Sequence, residues 1–205
     1  MSRTVGCVIA LVAVAAIVGL VLVGQYNGLV TAEQGVQEAW SQVENVYQRR
    51  ADLVPNLVAT VKGSAAFEQE TLTAVVEARS RVGQISAAAT QEILNNPAKF
   101  AQFQQAQDGL SSALSRLLVV IERYPELRST VAFRDLMTQL EGTENRIAVE
   151  RRRFNEVARE FNTRLAKFPT NVVAGLLGWH FIQRPYFEAM PAAQEAPKVD
   201  FAKTN

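Results

Sequence analysis

The chain has 205 residues, of which 48% are hydrophobic and 20% are charged, and its formal net charge is +1. This length accommodates one domain of ordinary size plus an anchor. Because the charges balance, the sequence lacks the positive field of nucleic-acid-binding proteins, and no nucleic-acid partner is predicted. The single cysteine, Cys7, and the single histidine, His180, exclude disulfide frameworks, zinc clusters and Cys/His catalytic pairs.

The N-terminal segment, residues 5–24, contains only apolar residues and glycine. As a helix it would rise about 30 Å, the thickness of the hydrocarbon core of a bilayer. We predict an uncleaved signal anchor after a short tail, residues 1–4. A cleaved signal peptide is the alternative, but its cleavage site needs small residues after the apolar run rather than within it.

The orientation of the anchor is predicted from the basic residues beside it. Arg3 precedes the apolar run, and the next basic residue is Arg49. The positive-inside rule then favours a cytoplasmic N terminus and an extracytoplasmic body.

Apolar residues recur every seven positions after the anchor, a pattern typical of coiled coils and helix bundles. They predict a long first body helix that can continue from the anchor. Pro55 predicts a kink near Asp52, and Gly63 predicts the end of the helix. The apolar positions fall in three sets: Leu29, Val36, Val43 and Leu57, with Arg50 in the fourth place; Ala32, Ala39, Val46 and Leu53; and Trp40, Tyr47, Val54 and Val61.

Three further helices are predicted in the body. The second covers about residues 64–89, the third begins at Asn96-Pro97 and ends before Pro125, and the fourth begins near Ser129 or Thr130. The fourth repeats an apolar residue at sevens until Pro169: Phe133, Leu140, Ile147, Phe154, Phe161 and Phe168. Because the connections are short, we expect an all-α fold in which residues 25–168 form an antiparallel up-down four-helix bundle.

The C-terminal part divides into two segments. Residues 169–189 are apolar but interrupted by glycine and proline, so they are too short to span a membrane. We expect them to pack on the end of the bundle, and docking on the bilayer interface through Trp179 is the alternative. Residues 190–205 predict a flexible tail.

Two groups of polar residues are candidate sites. Arg50, with Asp52 and Asn56 close by, could meet Glu144 or Glu150 in a buried polar layer, which more often fixes helix register than binds a ligand. The basic run Arg151, Arg152 and Arg153 predicts a solvated helix face. Its functional alternative is a surface that contacts anionic lipid or an acidic partner, together with Trp179.

No catalytic residue, cofactor site or metal site can be assigned from the sequence. A di-metal site in a helix bundle uses paired Glu-x-x-His motifs, and the chain has one histidine. His180 lies in the apolar C-terminal segment and is interpreted as a packing residue.

Several motifs recur in order along nearly the whole chain, and together they resemble the LemA family of bacterial membrane proteins. The matching segments are Tyr26-Asn27-Gly28-Leu29-Val30, residues 49–58 (RRADLVPNLV), residues 123–127 (RYPEL), residues 141–147 (EGTENRI), residues 151–155 (RRRFN), Phe168-Pro169 and residues 198–201 (KVDF).

The resemblance implies one transmembrane helix in the bacterial inner membrane and an antiparallel helical bundle, without an established catalytic activity. It also implies, by analogy, a role in envelope protein quality control or in membrane organisation. Family members are often encoded beside a membrane zinc metalloprotease, and relatives occur among proteins that shape magnetosome membranes. Some members are described with the body in the cytoplasm. Where the family commonly has a histidine near residues 67–68, this chain has none.

The function predicted from the sequence is therefore a non-enzymatic, membrane-anchored scaffold. Its bundle would bind protein partners and copies of itself, the latter through exposed parts of the first helix. The alternative is a lipid-engaging or membrane-shaping module that uses the arginine face and the Trp179 segment.

Overall fold

A computed structural model describes residues 3–63, 68–86 and 90–188, and throughout these ranges the regular structure is helical, without strands. The all-α prediction is confirmed. The ends of the predicted second helix and the predicted tail lie outside the described residues. The helices are α1 (Arg3–Lys62), α2 (Gln69–Ser86), α3 (Thr90–Asn95), α4 (Pro97–Ile121), α5 (Pro125–Ser129), α6 (Val131–Ala166) and α7 (Thr170–Leu177).

Helix α1 runs unbroken from the anchor into the body, as the heptads allow. Its 60 residues correspond to about 90 Å of helix. Within the described part of the chain, this is the one helix that is long and apolar enough to cross a bilayer. Residues 5–24 are exposed except for Gly19 and Leu22, which are half-buried, and Leu20 is 75% exposed, as expected for residues that face lipid.

Pro55 lies inside α1, and the structure shows how the helix tolerates it. Proline has no N–H, so the carbonyl of Ala51 loses the hydrogen bond that residue 55 would donate. Arg79 of α2 donates its Nε–H to this carbonyl at 2.9 Å. The side chain of a neighbouring helix therefore satisfies the group that the proline leaves free.

Helix α6 packs along the part of α1 that follows the anchor. Gly35 faces Val157 and Arg50 reaches Glu144, so residue numbers fall along α6 as they rise along α1. The predicted apolar seam of α6 is buried at five of its six positions: Phe133, Leu140, Ile147, Phe154 and Phe161.

Phe168 is the exception to this seam, and its predicted burial is wrong. Its side chain is 82% exposed. Helix α6 ends at Ala166, and the backbone of Lys167 is extended. Phe168 therefore lies beyond the helix, where a seven-residue spacing no longer places a side chain on the buried face.

The second pair of packed helices is α2 and α4. The start of α4 is as predicted, because the Asn96 side chain accepts hydrogen bonds from the N–H groups of Ala98 and Lys99 at 2.9 and 3.3 Å. Thr130 caps α6 in the same way by accepting from the Phe133 N–H at 3.3 Å. The predicted N-cap at Asn96 and the predicted start of the fourth helix are therefore confirmed.

Two short helices, α3 and α5, were not predicted. Helix α3 buries Ile93 and Leu94 immediately before α4, and six residues are too few to show a period. Pro125 was expected to close the third helix, but α4 already ends at Ile121 and Pro125 begins α5. Proline at the first position of a helix lacks only an N–H that has no partner there, so it begins a helix readily.

The C-terminal segment packs along the bundle beyond α7. Gly178 ends α7 in the left-handed conformation, with φ of 64°. Residues 179–188, hereafter the strap, then run without regular secondary structure from Trp179 beside Tyr26 to Phe187 beside Trp40. The strap therefore follows α1 away from the anchor.

Candidate functional site: a polar layer and a strap groove

A buried arginine joins three elements in the middle of the bundle. Arg50 is 1% exposed, and its Nη1 donates to Ser111 Oγ at 2.6 Å and to Glu144 Oε1 at 2.9 Å. Its Nη2 donates to the carbonyl of Gln107 at 3.0 Å and to the Gln107 side-chain oxygen. The predicted meeting of Arg50 with Glu144 is present, and α4 supplies two partners that the sequence did not indicate.

The other predicted members of the layer do not join it. Asp52 and Asn56 are exposed, and Asp52 accepts a hydrogen bond from Gln48 of its own helix. Glu150 is half-buried, and its Oε2 has no hydrogen-bond partner among the described residues. The layer consists of Arg50, Gln107, Ser111 and Glu144, and its role in fixing register stays a prediction.

Tyr47 lies one turn before Arg50, whose guanidinium stands 5.0 Å from the Tyr47 ring centroid. The Tyr47 hydroxyl is buried without a hydrogen-bond partner in the described part of the chain. Burial raises the pKa of Tyr47 to about 12, although Arg151 and Arg50 oppose the shift. A buried phenol resists losing its proton because its anion would be poorly solvated.

This raised pKa predicts a specific loss of stability in alkali. The pKa of Tyr47 in the folded protein exceeds its ordinary value of 10.0, so the contribution of Tyr47 to stability is fully present below pH 10 and is lost as the pH rises through 12. The expected slope is about 1.4 kcal/mol per pH unit in that window. Tyrosinate absorbance should show one late-titrating tyrosine that Tyr47→Phe removes. A difference between the two proteins that titrates near pH 10 would contradict this assignment.

The strap lies between α4 and α6 and is held through its backbone by three carboxamide side chains. Asn162 pairs with the N–H and carbonyl of Arg184, both at 2.8 Å. Asn155 pairs with the same two groups of Phe187, both at 2.9 Å. Gln104 of α4 pairs likewise with Glu188, at 3.0 and 3.2 Å. Each carboxamide offers one donor and one acceptor, which is what a strand neighbour in a sheet would offer.

Phe187 is the apolar anchor of the strap. It is 6% exposed, and its ring centroid lies 4.8 Å from Phe100, 5.5 Å from Phe154 and 6.1 Å from Trp40. These three rings come from α4, α6 and α1. The aromatic cluster therefore joins the strap to three helices at once, and such pairs add stabilisation beyond the buried area.

Arg184 is the polar anchor. It is 4% exposed, forms an ion pair with Glu33 of α1, donates to the Asn95 side chain and stands 5.3 Å from the Phe161 ring centroid. Burial lowers the pKa of Arg184, and the Glu33 carboxylate opposes that shift. The pocket thus compensates a buried charge with a carboxylate and a hydrogen bond.

The structure divides the basic run that was predicted as one face. The Arg151 Nη2 donates to the Glu188 carbonyl at 2.9 Å, and its guanidinium lies 4.7 Å from the Phe187 ring centroid. Arg151 therefore lines the groove between α4 and α6 that holds the strap, hereafter the strap groove. Arg152 and Arg153 are exposed. With Val157 level with Gly35, these two lie roughly 20 Å along α1 from the end of the anchor.

Trp179 is therefore separated from the arginines with which it was grouped. Its ring packs edge-on against Tyr26 at 5.2 Å, directly after the anchor. The interpretation of His180 as a packing residue is wrong, because its side chain is exposed. Across residues 3–63, 68–86 and 90–188, no group of His, Cys, Asp and Glu is arranged to hold a metal.

The strap contacts were missed by reasoning from the sequence. Gln104, Asn155, Asn162 and Arg184 were assigned no role, since isolated carboxamides on a helix are normally solvated. One signal was available: Asn155 and Asn162 directly follow the seam residues Phe154 and Phe161, and so share their seven-residue spacing.

Comparison with known proteins places the chain in a family. The model of the LemA family matches residues 39–201. The magnetosome proteins MamQ 1 and MamQ 2 of Paramagnetospirillum magneticum are each 30% identical over 199 residues, covering 90% of this chain and 72% of theirs. Protein LemA of Metamycoplasma hominis is 26% identical over 180 residues, covering 88% of this chain and 74% of its own. The long apolar helix, the helical body and these matches together show that this bacterial membrane protein belongs to the LemA family.

Proposed function

We propose that the protein is a membrane-anchored, non-enzymatic scaffold whose bundle binds extended polypeptide segments between α4 and α6, where they take the place of its own strap. The observation that carries this proposal is the bonding of three carboxamides to both backbone groups of Arg184, Phe187 and Glu188. Contacts of this kind recognise an extended backbone whatever its sequence, as in strand addition to a sheet.

Selectivity would come from the two side-chain pockets. The Glu33 and Asn95 pocket accepts arginine, and the aromatic cluster accepts phenylalanine three residues later. The strap of a second copy carries the same pair, so exchange of straps between copies is the route to self-assembly that this geometry favours. Recognition of extended chains is also the chemistry that a role in envelope protein quality control would require.

The scaffold itself is proposed to be an antiparallel up-down bundle. Its support is the pairing of α1 with α6 in opposite directions, together with the packing of α2 on α4. The short links at Asn96 and Tyr124 favour the same arrangement. We further propose that the body is extracytoplasmic, anchored in the bacterial inner membrane.

A test of the side of the membrane uses Val131, which is 64% exposed at the start of α6. In a Cys7→Ser background, a cysteine at position 131 should react with a membrane-impermeant maleimide in intact spheroplasts. Labelling that requires lysis would place the body in the cytoplasm.

The groove is tested by peptide complementation. In the full chain, Phe187→Ala weakens the strap and empties the aromatic pocket. A fluorescent peptide with the sequence of residues 179–188 should then bind this variant in detergent, measured by anisotropy, and bind the wild-type protein much more weakly because its own strap competes.

The matched control is the same peptide with alanine in place of its phenylalanine. It should bind at least about tenfold more weakly, since loss of a buried phenyl group costs more than the 1.4 kcal/mol that a tenfold change represents. Equal binding of the two peptides, or binding of neither, would overturn the groove proposal.

Self-assembly is measured by size-exclusion chromatography with light scattering in detergent. Wild-type protein should form dimers or larger particles at high concentration, and Phe187→Ala should reduce them. A strictly monomeric wild-type particle would remove self-assembly while leaving the binding of other chains in place.

A lipid-engaging role is the second candidate function. It is favoured by one observation, the exposed apolar side chains of Phe168 and α7 at the end of the bundle that adjoins the anchor.

A further inference from the structure

The height of α7 relative to the bilayer follows from its contacts with α1. Thr170 Oγ1 donates to Gln25 Oε1 at 3.0 Å, and Gln25 is the first polar residue after the anchor. Tyr26, the next residue, contacts Trp179 at 5.2 Å and Phe181 at 5.8 Å. Because α1 is continuous, α7 and the start of the strap lie at the level where α1 leaves the hydrocarbon core.

Helix α7 turns an apolar face away from the bundle. Thr170 and Ala174, one turn apart, are buried against the rest of the protein. The opposite side of the helix carries Val172, which is 49% exposed, and Leu176, which is 81% exposed. Exposed apolar side chains also lie just before α7, at its last residue and after it: Phe168 at 82%, Leu177 at 54% and Ile182 at 50%. These five residues are hereafter the α7 patch. Five large exposed apolar side chains within one short segment indicate a surface that is covered in the working protein.

The residues around the patch suit the interfacial zone of a membrane. Trp179 and Tyr26 provide the aromatic pair that favours the headgroup level. Lys167 and His180 are exposed beside it, and a lysine there can lay its alkyl chain along lipid while its ammonium group reaches phosphate. At the distal end of the bundle, some 55 Å away along α1, Val131 is also an exposed apolar residue, but it lies far from the anchor.

We propose that the α7 patch is a second membrane contact, inserted into the interfacial region of the bilayer that the protein's own anchor spans. The occupant is lipid because α7 contacts Gln25 and Trp179 contacts Tyr26, directly after the anchor, so the patch lies at the level of the membrane surface. Two contacts, one spanning and one lying in the interface, would hold the bundle at a fixed angle to the membrane. The proposal deepens the lipid-engaging candidate, but it assigns the contact to α7 and not to Arg152 and Arg153.

The test places a bimane fluorophore on a single cysteine of the full chain in a Cys7→Ser background. One variant is Leu176→Cys, and the matched control is Val131→Cys, also an exposed apolar position but at the far end of the bundle. Each is reconstituted at one copy per nanodisc, with or without lipids brominated near the glycerol end of the acyl chain. Both substitutions are on the surface, so both proteins should fold.

We expect brominated lipid to quench the label at position 176 by at least about half and to leave position 131 unchanged. Equal, weak quenching at both positions would overturn the proposal. A blue-shifted label at 176 that brominated lipid does not quench would also overturn it, because protein would then cover the patch. Peptide binding in the groove does not affect this readout, so the two proposals can fail independently.

Discussion

Replacing Arg50 with methionine is expected to lower the free energy of unfolding by about 3 kcal/mol, because the buried partners of the guanidinium lose their charge-assisted hydrogen bonds. The Gln107 side-chain oxygen would be left buried, whereas Glu144 can rehydrate because its side chain is 40% exposed. Denaturation of the full chain in detergent, followed by circular dichroism, measures the loss.

The control for Arg50 is another arginine in an ion pair between elements. Arg123 contacts Glu68 at 2.8 Å, but the two side chains are 62% and 46% exposed. Arg123→Met should therefore cost less than about 1 kcal/mol. Equal effects of the two substitutions would show that the Arg50 layer does not stabilise the bundle in the way described.

A second measurement separates the effect of the hydrogen bonds of Arg50 from the effect of side-chain packing in the polar layer. The double variant Arg50→Met with Gln107→Leu removes the buried donor and its buried acceptor together, so it should recover at least about half of the loss caused by Arg50→Met alone. A double variant that is less stable than the sum of the two single variants would contradict this account of the layer.

Phe187→Ala is expected to cost about 3 kcal/mol, the low end of the range for a buried phenylalanine, because the emptied site can partly collapse. The phenyl ring contacts aromatic residues of α1, α4 and α6, so the strap should loosen from all three helices. The matched control is Phe168→Ala, the same substitution at a side chain that is 82% exposed. In detergent its effect should stay within about 0.5 kcal/mol. A similar loss for both would mean that the strap is not docked as described.

Much of the helical architecture could be predicted because it depends on local and periodic signals. Asn96 and Thr130 cap the starts of α4 and α6 with their own side chains. The apolar residues that recur every seven positions identify the buried faces of α1 and α6. The Arg50–Glu144 contact could be anticipated because a charge within an apolar seam must find a partner across the core.

The remaining features depend on tertiary contacts that no period in the sequence marks. Whether Phe168 is buried is decided by where α6 ends, two residues before it. Gln107 could be recognised as a polar residue within a seam, but its pairing with Arg50 depends on how α4 meets α1. The strap has no regular secondary structure, and its bonds to Asn155 and Asn162 join residues 22 to 32 positions apart.

The strap also changes what the candidate sites mean. Arg151 was grouped with its neighbours by sequence, but its guanidinium donates a hydrogen bond to the strap, while Arg152 and Arg153 face solvent. The two proposed surfaces are therefore the groove between α4 and α6 and the α7 patch beside the anchor. We propose extended polypeptide as the ligand of the first and lipid as the ligand of the second.

The central claim is that side chains of the bundle hold the strap through hydrogen bonds to its backbone. Amide hydrogen exchange of the strap in the full chain tests this claim most directly. The backbone N–H groups of Arg184, Phe187 and Glu188 donate hydrogen bonds to the side-chain oxygens of Asn162, Asn155 and Gln104, respectively. They should exchange at least about a hundredfold more slowly than in an unfolded chain, which corresponds to roughly 2.7 kcal/mol of opening free energy, and this protection should fall in Phe187→Ala. Exchange of these three amides at the unfolded rate in the wild-type protein would contradict the account.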